Sequence, residues 1–275
     1  MTIEEAVIYG KKYISSIDTK MLISWVTTYD TLEIINHLSE HLTQNEEELF
    51  KKLVDARRND KPIQYITNSA NFYGIDLFVN EDVLIPRFET EELVENTIKI
   101  LNKQFENPKI LDLCCGSGAI AIALKTKLDS SHITMSDISV NALNVAKINK
   151  DKYNLDINII ESDLFENINE KFDCIISNPP YIKDDEEIED IVKNNEPKLA
   201  LYGGKTGLDY YERILKDIKN YLNDKFVIAF EIGASEKDDV IALANKYLTD
   251  INIVAKKDLQ DRDRMIFITS TNLTD

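Results

Sequence analysis

The run Ile175-Ile176-Ser177-Asn178-Pro179-Pro180-Tyr181 carries the sharpest chemical signal in the chain. An apolar, strand-like stretch enters a turn stiffened by two prolines. Neither proline has an N–H, so the Pro179 carbonyl can accept from outside the chain, and Asn178 adds a second acceptor in its side-chain oxygen. Two acceptors at fixed separation suit a planar, poorly nucleophilic NH2 group, either a side-chain amide or an exocyclic adenine amine. Binding both N–H bonds aims the nitrogen lone pair at an electrophile and draws off the developing positive charge. No strong general base is then essential, because the nitrogen becomes acidic as the new bond forms. Tyr181 can stack on the flat group, and its electron-rich face suits a nearby cation. Taken alone, Asn-Pro-Pro is also simply a rigid loop after a strand, so its surroundings must decide.

A second loop supplies them. Residues 110–121, Ile-Leu-Asp-Leu-Cys-Cys-Gly-Ser-Gly-Ala-Ile-Ala, read as a strand, a tight turn and a helix start. Gly116 and Gly118 let the backbone approach a ligand where a β-carbon would clash. The G-x-G-x-x-G fingerprint that seats a pyrophosphate is absent. Asp112 stands instead near the strand end, where a carboxylate can accept from the ammonium of an amino-acid-bearing cofactor. The loop resembles the Asp-x-Gly-x-Gly-x-Gly motif of S-adenosylmethionine methyltransferases, with Cys114 in place of the first Gly. Cysteine is small enough to preserve the loop, on the expectation of a negative φ at Cys114. This likeness assigns Asp112, Cys114, Gly116, Ser117 and Gly118 to the cofactor.

Asp137, followed by Ile138, closes the next strand about twenty residues downstream, where an acid reads ribose hydroxyls. Ser162-Asp163 closes the third and can flank an adenine. An Asp at a strand end is often a helix cap, and Asp137 or Ser139 can cap a helix over 140–150. Three acids at successive strand ends, all on the side where open α/β sheets bind ligands, argue for a cofactor site.

The elements that must position these residues follow from periodicity. Apolar runs at 109–113, 133–137, 157–160, 172–177 and 226–232 alternate with helical patterns at 119–128, 140–150, 208–222 and 235–248. This predicts a largely parallel sheet covered on both faces. Runs at 251–255 and 265–269 lie too close for a parallel crossover, so the sheet should end in an antiparallel pair. The expected fold is α/β: a Rossmann-like seven-stranded sheet with one reversed strand. Residues 1–67 read as a small helical domain, with Thr2/Glu5, Asp30/Glu33 and Thr43/Glu46 at capping-box spacing. Apolar residues recur at helical spacing between the caps, Leu32, Ile35 and Leu38 among them. Residues 68–88 read as a β-hairpin linker around Gly74, and 89–275 as the catalytic domain, entered by a helix from about Thr90.

Composition narrows the class. The 275-residue chain is 43% hydrophobic, enough to build a proper core, and carries 49 acidic against 32 basic residues, a net charge of −17. That balance argues against stable nucleic-acid binding, which depends on Lys and Arg, and it suits a positively charged partner or simply solubility. The three cysteines, Cys114, Cys115 and Cys174, fit neither a disulfide framework nor a metal site. The N-terminus lacks the features of a signal peptide and no apolar run has the length of a membrane span, so the expectation is cytoplasmic, without a membrane or a metal.

Together these stretches are similar to the HemK/PrmC family, which methylates the glutamine of the Gly-Gly-Gln motif in peptide chain release factors. The likeness extends beyond the two loops. It includes Pro62-Ile63-Gln64-Tyr65-Ile66, Phe72-Tyr73-Gly74, Leu84-Ile85-Pro86-Arg87 with Thr90-Glu91, and Glu196-Pro197. It continues through Leu199-Ala200-Leu201, Gly203-Gly204 with Gly207-Leu208, Glu231-Ile232-Gly233, and Lys257-Asp258-Leu259 with Asp263-Arg264. The N-terminal helices match loosely. Asn68, Cys114 and Asp261 stand where the family has Gly, and Phe88 replaces a smaller residue or proline.

The resemblance implies S-adenosyl-L-methionine as cofactor, S-adenosyl-L-homocysteine as product and a release factor as protein substrate. Asn178 and Pro179 would bind the substrate amide, with Pro180 stiffening the turn and Tyr181 packing beside it. Gly116, Asp137 and Asp163 would line the cofactor site, which Asn178 borders. Arg87 either stands beside the active site or anchors the hairpin by pairing with Glu89 or Glu91. Three rivals stay open: a glutamine methyltransferase acting on a ribosomal protein, a DNA N6-adenine methyltransferase, and a non-catalytic cofactor-binding adaptor. A DNA enzyme would need a basic groove and a way to extrude the base.

Overall fold

A computed structural model describes residues 1–271 and Leu273. The chain forms two units, Met1–Ser69 with Glu189–Asn195, and the remainder from Ala70 onward.

In the first unit, α1 (Ile3–Gly10), α2 (Ser16–Thr27), α3 (Gln44–Arg58) and α4 (Ile63–Thr67) bury Ile3, Leu22, Ile23, Phe50 and Val54 against one another. Thr2/Glu5 and Thr43/Glu46 form the expected reciprocal capping boxes. In α3, acids in the first turn and Arg57 and Arg58 in the last complement the helix dipole. The third expected helix is absent. Asp30 accepts from the Leu32 amide through Oδ1, and only a 3-10 turn, Glu33–Asn36, follows. That turn buries Ile34 and leaves Leu32 and Ile35 exposed, so the 3.6-residue register read there was wrong.

The second unit begins with a hairpin, β1 (Ala70–Phe72) and β2 (Ile75–Leu77), turning at Tyr73 and Gly74. Both turn residues have positive φ, 54° and 76°, the geometry that matches strand twist in a two-residue hairpin. Next come α5 (Phe88–Gln104), β3 (Lys109–Leu113), α6 (Ala119–Lys127), β4 (His132–Asp137), α7 (Val140–Lys152), β5 (Ile157–Glu161) and β6 (Phe172–Ser177). The short α8 (Asp190–Asn195) belongs to the first unit, where the Asn195 side chain donates to the Asp60 carbonyl. The chain then completes the second unit with α9 (Asp209–Asp217), β7 (Leu222–Glu231), α10 (Lys237–Tyr247), β8 (Ile251–Lys257) and β9 (Asp263–Ser270).

The sheet order is β5-β4-β3-β6-β7-β9-β8, parallel except for β9, which runs against both neighbours. The reversed strand and the antiparallel edge pair are as expected. Strand alternation sorts the core into two layers. Ile110, Cys174, Ile176 and Ala229 face one, with Leu93, Ile120 and Ala121 of α5 and α6. Leu111, Ile175, Ile228 and Phe230 face the other, with Tyr211, Leu215 and Val240 of α9 and α10. Strand order reverses between β3 and β6, so the connections leaving their C-terminal ends run in opposite directions and open a crevice, the usual place for a ligand in an open α/β sheet. Among the described residues, no helix is long and apolar enough to cross a membrane.

Candidate active site

The crevice is a cavity of about 250 Å³ at the C-terminal ends of β3, β4, β5 and β6. On the wall of the expected cofactor side lie Cys114, Gly116, Ser117, Asp137, Ile138, Ser162 and Asp163; Asn178 and Pro180 face it from the end of β6.

The loop after β3 is held by its own backbone. The Cys115 amide donates to the Ser136 carbonyl at 3.0 Å, and the Gly116 amide to Asp137 Oδ2 at 2.9 Å. Gly116 has φ +52° and open space where a β-carbon would stand, so the backbone is bare towards the cavity. Cys114 departs from expectation, with φ +63° rather than a negative value. The loop's hydrogen bonds impose the left-handed turn that a Gly would enter freely, at a cost of about 1–2 kcal/mol for a residue with a β-carbon.

Asp137 is the hub of this wall. Oδ1 accepts from the Ser139 amide at 2.9 Å and Oδ2 from Gly116, leaving lone pairs for a ribose diol. It is not the helix cap, because Ser139 Oγ takes that role by accepting from the Ala142 amide. Burial raises the Asp137 carboxyl above its ordinary value, against the pull of the backbone amides that donate to it. Asp163 pairs with Arg213 at 2.8 Å, and Arg213 and Tyr210, on α9, also line the cavity. Ser162 is at the wall, but its hydroxyl is occupied: it donates to the Leu164 carbonyl and accepts from the Asn167 amide.

Two members of the expected cofactor set are not on the wall. Asp112 shares the strand face of Ile110 and is completely buried, with Oδ2 accepting the Ala121 amide at 3.0 Å from the first turn of α6. Burial pushes its carboxyl up to about 8, helped by the nearby Asp137 charge and opposed by the Ala121 amide. Gly118, φ +78°, is the N-cap of α6, where a β-carbon would sit 3.1 Å from Met135 Sδ. Both build the loop from below.

At the end of β6, Ser177 Oγ donates to the Leu113 carbonyl at 2.5 Å and locks the catalytic-turn candidate to the cofactor-loop candidate. Asn178 Nδ2 donates to Thr90 Oγ1 at 3.2 Å, and Oδ1 accepts from no described residue. Pro179 and Tyr181 do not line the cavity. The Tyr181 hydroxyl turns back towards Glu231 Oε1, 3.5 Å away. The turn is clamped from outside by Gly203, whose β-carbon would fall 2.5 Å from the Pro180 carbonyl, and by Gly207, whose β-carbon would fall 2.4 Å from that of Tyr181.

Arg87 is on the wall, yet it pairs with neither Glu89 nor Glu91. It reaches Glu196 Oε1 at 2.6 Å, while Glu196 Oε2 accepts the Ile85 amide. The spacing of 109 residues explains why local reading missed this partner. Asn149 was also missed. Its buried amide bonds Phe78 N–H, Phe78 C=O and Ser117 C=O, joining the segment after the hairpin to the cofactor-loop candidate. No motif marks it: it is one of three asparagines in an ordinary helical pattern. Among the described residues no cluster of His, Cys, Asp and Glu is arranged to hold a metal.

Residues 13–67 match the family described as the PrmC N-terminal domain, and residues 91–201 the one described as the methyltransferase small domain. A release factor glutamine methyltransferase of Clostridium botulinum is 41% identical over 91% of this chain and 90% of its own length. One from Streptococcus pneumoniae is 41% identical over 86% and 85%. Among solved structures, a methyltransferase from Pyrococcus furiosus superposes with a TM-score of 0.53 at 15% identity, covering 82% of this chain and 98% of that one, a likeness of fold alone. A clamped Asn-Pro-Pro-Tyr turn beside a Gly-x-Gly loop, together with identity of this extent, places the chain in the family of release factor glutamine methyltransferases.

Proposed function

We propose that this chain transfers a methyl group from S-adenosyl-L-methionine to the side-chain amide nitrogen, N5, of the Gly-Gly-Gln glutamine in a peptide chain release factor, leaving S-adenosyl-L-homocysteine. Family membership supports the reaction and the substrate class. The observation that carries the chemistry is the state of Asn178: its NH2 is turned to Thr90, and its oxygen is left to accept at the cavity.

The residues present fit the cofactor. The bare Gly116 backbone gives close approach and Asp137 suits a ribose diol, while Leu113, Leu164 and Tyr210 offer apolar surface for an adenine. When bound, the cofactor supplies an electrophilic methyl on a sulfonium. In this reading Asn178 Oδ1 accepts one N–H of the glutamine amide at the cavity wall, and the carbonyl of the adjoining Pro179, which is not itself part of the cavity lining, accepts the other. The hold fixes the amide plane, so that the nitrogen lone pair, perpendicular to it, is aimed at the methyl. The same oxygens stabilise the charge that the nitrogen gains as the S–C bond breaks and the N–C bond forms, and the acidified nitrogen then gives its proton to solvent water. Pro180 fixes the separation of the two acceptors.

Asp112 and Gly118 enter this reading as supports of the loop, and Cys114, Ser117, Ile138, Ser162 and Asp163 as its walls. The helical unit, residues 1–67, is assigned to substrate recognition, residues 68–88 to a hairpin linker and residues 89–275 to catalysis. The setting is cytoplasmic, with neither nucleic acid nor membrane as a stable partner.

The test is incubation with methyl-labelled S-adenosylmethionine and, separately, a release factor, ribosomal proteins and DNA. Label on the Gly-Gly-Gln glutamine is the expected result. Label confined to DNA or to a ribosomal protein would replace the substrate, and tight cofactor binding without any transfer would make the chain an adaptor.

A further inference from the structure

Asn178 presents an amide whose two ends look alike in shape and are opposite in polarity. Only the oxygen end can receive an N–H from a substrate, so something must fix which end faces the cavity. Three polar groups behind it form a chain. Asn178 Nδ2 lies 3.2 Å from Thr90 Oγ1, and Thr90 Oγ1 lies 2.5 Å from Glu231 Oε2. Thr90, in the first turn of α5, is 5% exposed and Glu231, at the end of β7, is 1% exposed. The register of β6 on β7, with Ser177 opposite Phe230, brings Glu231 alongside Asn178.

A threonine hydroxyl has one proton and two lone pairs. An ionised Glu231 can only accept, so it takes that proton. Thr90 can then only accept from Asn178, which must turn its NH2 inward and its oxygen outward.

We propose that Thr90 and Glu231 are positioning residues that set the polarity of the Asn178 amide, so that its oxygen rather than its NH2 meets the substrate. The inference rests on Asn178 receiving the substrate amide, as argued above. Neither residue touches the reacting atoms; each acts through Asn178.

Protonation of Glu231 undoes the logic, because a carboxylic acid can donate to Thr90 and release the hydroxyl proton towards Asn178 Oδ1. Burial lifts the Glu231 carboxyl to about 7, against the pull of the Thr90 hydroxyl bond and of Arg264 on β9; Glu89 on α5 raises it further, and the Tyr181 hydroxyl lowers it. The folded-state value is raised, and the ionised form is the orienting one. Turnover should therefore fall as pH drops through about 7.

The experiment measures kcat, KM for the release factor, cofactor Kd and melting temperature for the wild type and four variants. Thr90→Val should lower kcat by about a hundredfold with cofactor Kd near wild type, and should lower the melting temperature modestly because the buried Glu231 carboxylate loses a donor. Thr90→Ser, which restores the hydroxyl, should bring kcat back to within about threefold of wild type. Glu231→Gln should be slow and lose the acid limb of the kcat profile between about pH 6 and 8. Wild-type kcat in Thr90→Val would overturn the proposal, as would equal impairment of Thr90→Ser and Thr90→Val. So would an acid limb that survives in Glu231→Gln, or a kcat loss matched by an equal loss of cofactor binding. If Glu231→Gln does not fold, the Thr90 pair decides alone. Asn178→Ala separates the two levels: wild-type turnover there removes the parent reading, whereas an essential Asn178 with an unimpaired Thr90→Val removes only the orienting role.

Discussion

The Asp137 carboxylate accepts the Gly116 amide at 2.9 Å across the mouth of the crevice, so one side chain both shapes the loop after β3 and faces the cavity. Its second oxygen is fixed by the Ser139 amide, which leaves the carboxylate little freedom to turn away. A ribose diol arriving there would meet an acceptor already in place. Asp137→Ala should weaken S-adenosylmethionine binding about thirtyfold, corresponding to roughly 2 kcal/mol for hydrogen bonds to a charged acceptor. Isothermal titration of the purified protein measures this directly. Unchanged affinity would remove Asp137 from the cofactor site and leave it a loop support alone.

Asn178 should behave in the opposite way. It stands on the wall, yet the one side-chain partner it has among the described residues is Thr90, not an atom of the loop after β3. Asn178→Ala is expected to keep cofactor affinity within about threefold and to slow methyl transfer by about 10²–10³, the range for removing one preorganised group from a charge-developing step. Titration and single-turnover transfer to a release factor give the two numbers. Collapse of cofactor binding with turnover preserved would contradict the assigned role.

Much of this architecture was legible because alternation and spacing are local signals. The strand at 109–113 and the strand at 172–177 follow from apolar runs bounded by turn residues, and β3 and β6 occupy those spans. What stayed hidden depends on distant partners. Glu196 as the mate of Arg87, Thr90 behind Asn178, and Asn149 beneath Phe78 are set by packing across the unit. Asp112 could have been placed correctly, since it alternates with Leu111 and Leu113 and so shares the face of Ile110.

The left-handed positions repeat the lesson. Asn68, Cys114 and Asp261, three places where Gly is the familiar choice, all have positive φ, 52°, 63° and 64°. Asn and Asp accept that backbone with little penalty, and Cys114 is held there by its neighbours. Phe88 opens α5 at a position where proline is also at home, so the backbone tolerates either.

The Asn149 amide satisfies three backbone groups at once, two on Phe78 and one on Ser117. Asn149→Ala would strand a part-buried N–H and two carbonyls, one of them buried, and such groups cost about 1–3 kcal/mol each when unpaired in the interior. Water entering the space left by the side chain should recover part of this. A loss of about 2–4 kcal/mol is expected in urea unfolding at constant slope, together with weaker cofactor binding because the Ser117 carbonyl loses its donor. Loss of stability with undisturbed cofactor binding would show that the loop after β3 does not depend on α7 for its shape.

Asp112 makes a prediction with a definite sign. Its folded carboxyl is held near 8 by burial, far above the ordinary value of 3.8, and Oδ1 is buried with no hydrogen-bond partner among the described residues. Between those two values the folded chain keeps a proton that the unfolded chain has released. Stability therefore falls as pH rises across that window and levels off above it. Asp112→Asn keeps the shape and the acceptor for the Ala121 amide but has no proton to lose. The melting temperature of the variant relative to wild type should climb steadily from about pH 5 to about pH 8. Parallel melting curves across that range would mean that Asp112 is already ionised in the folded protein, with a partner for Oδ1 supplied from outside the chain.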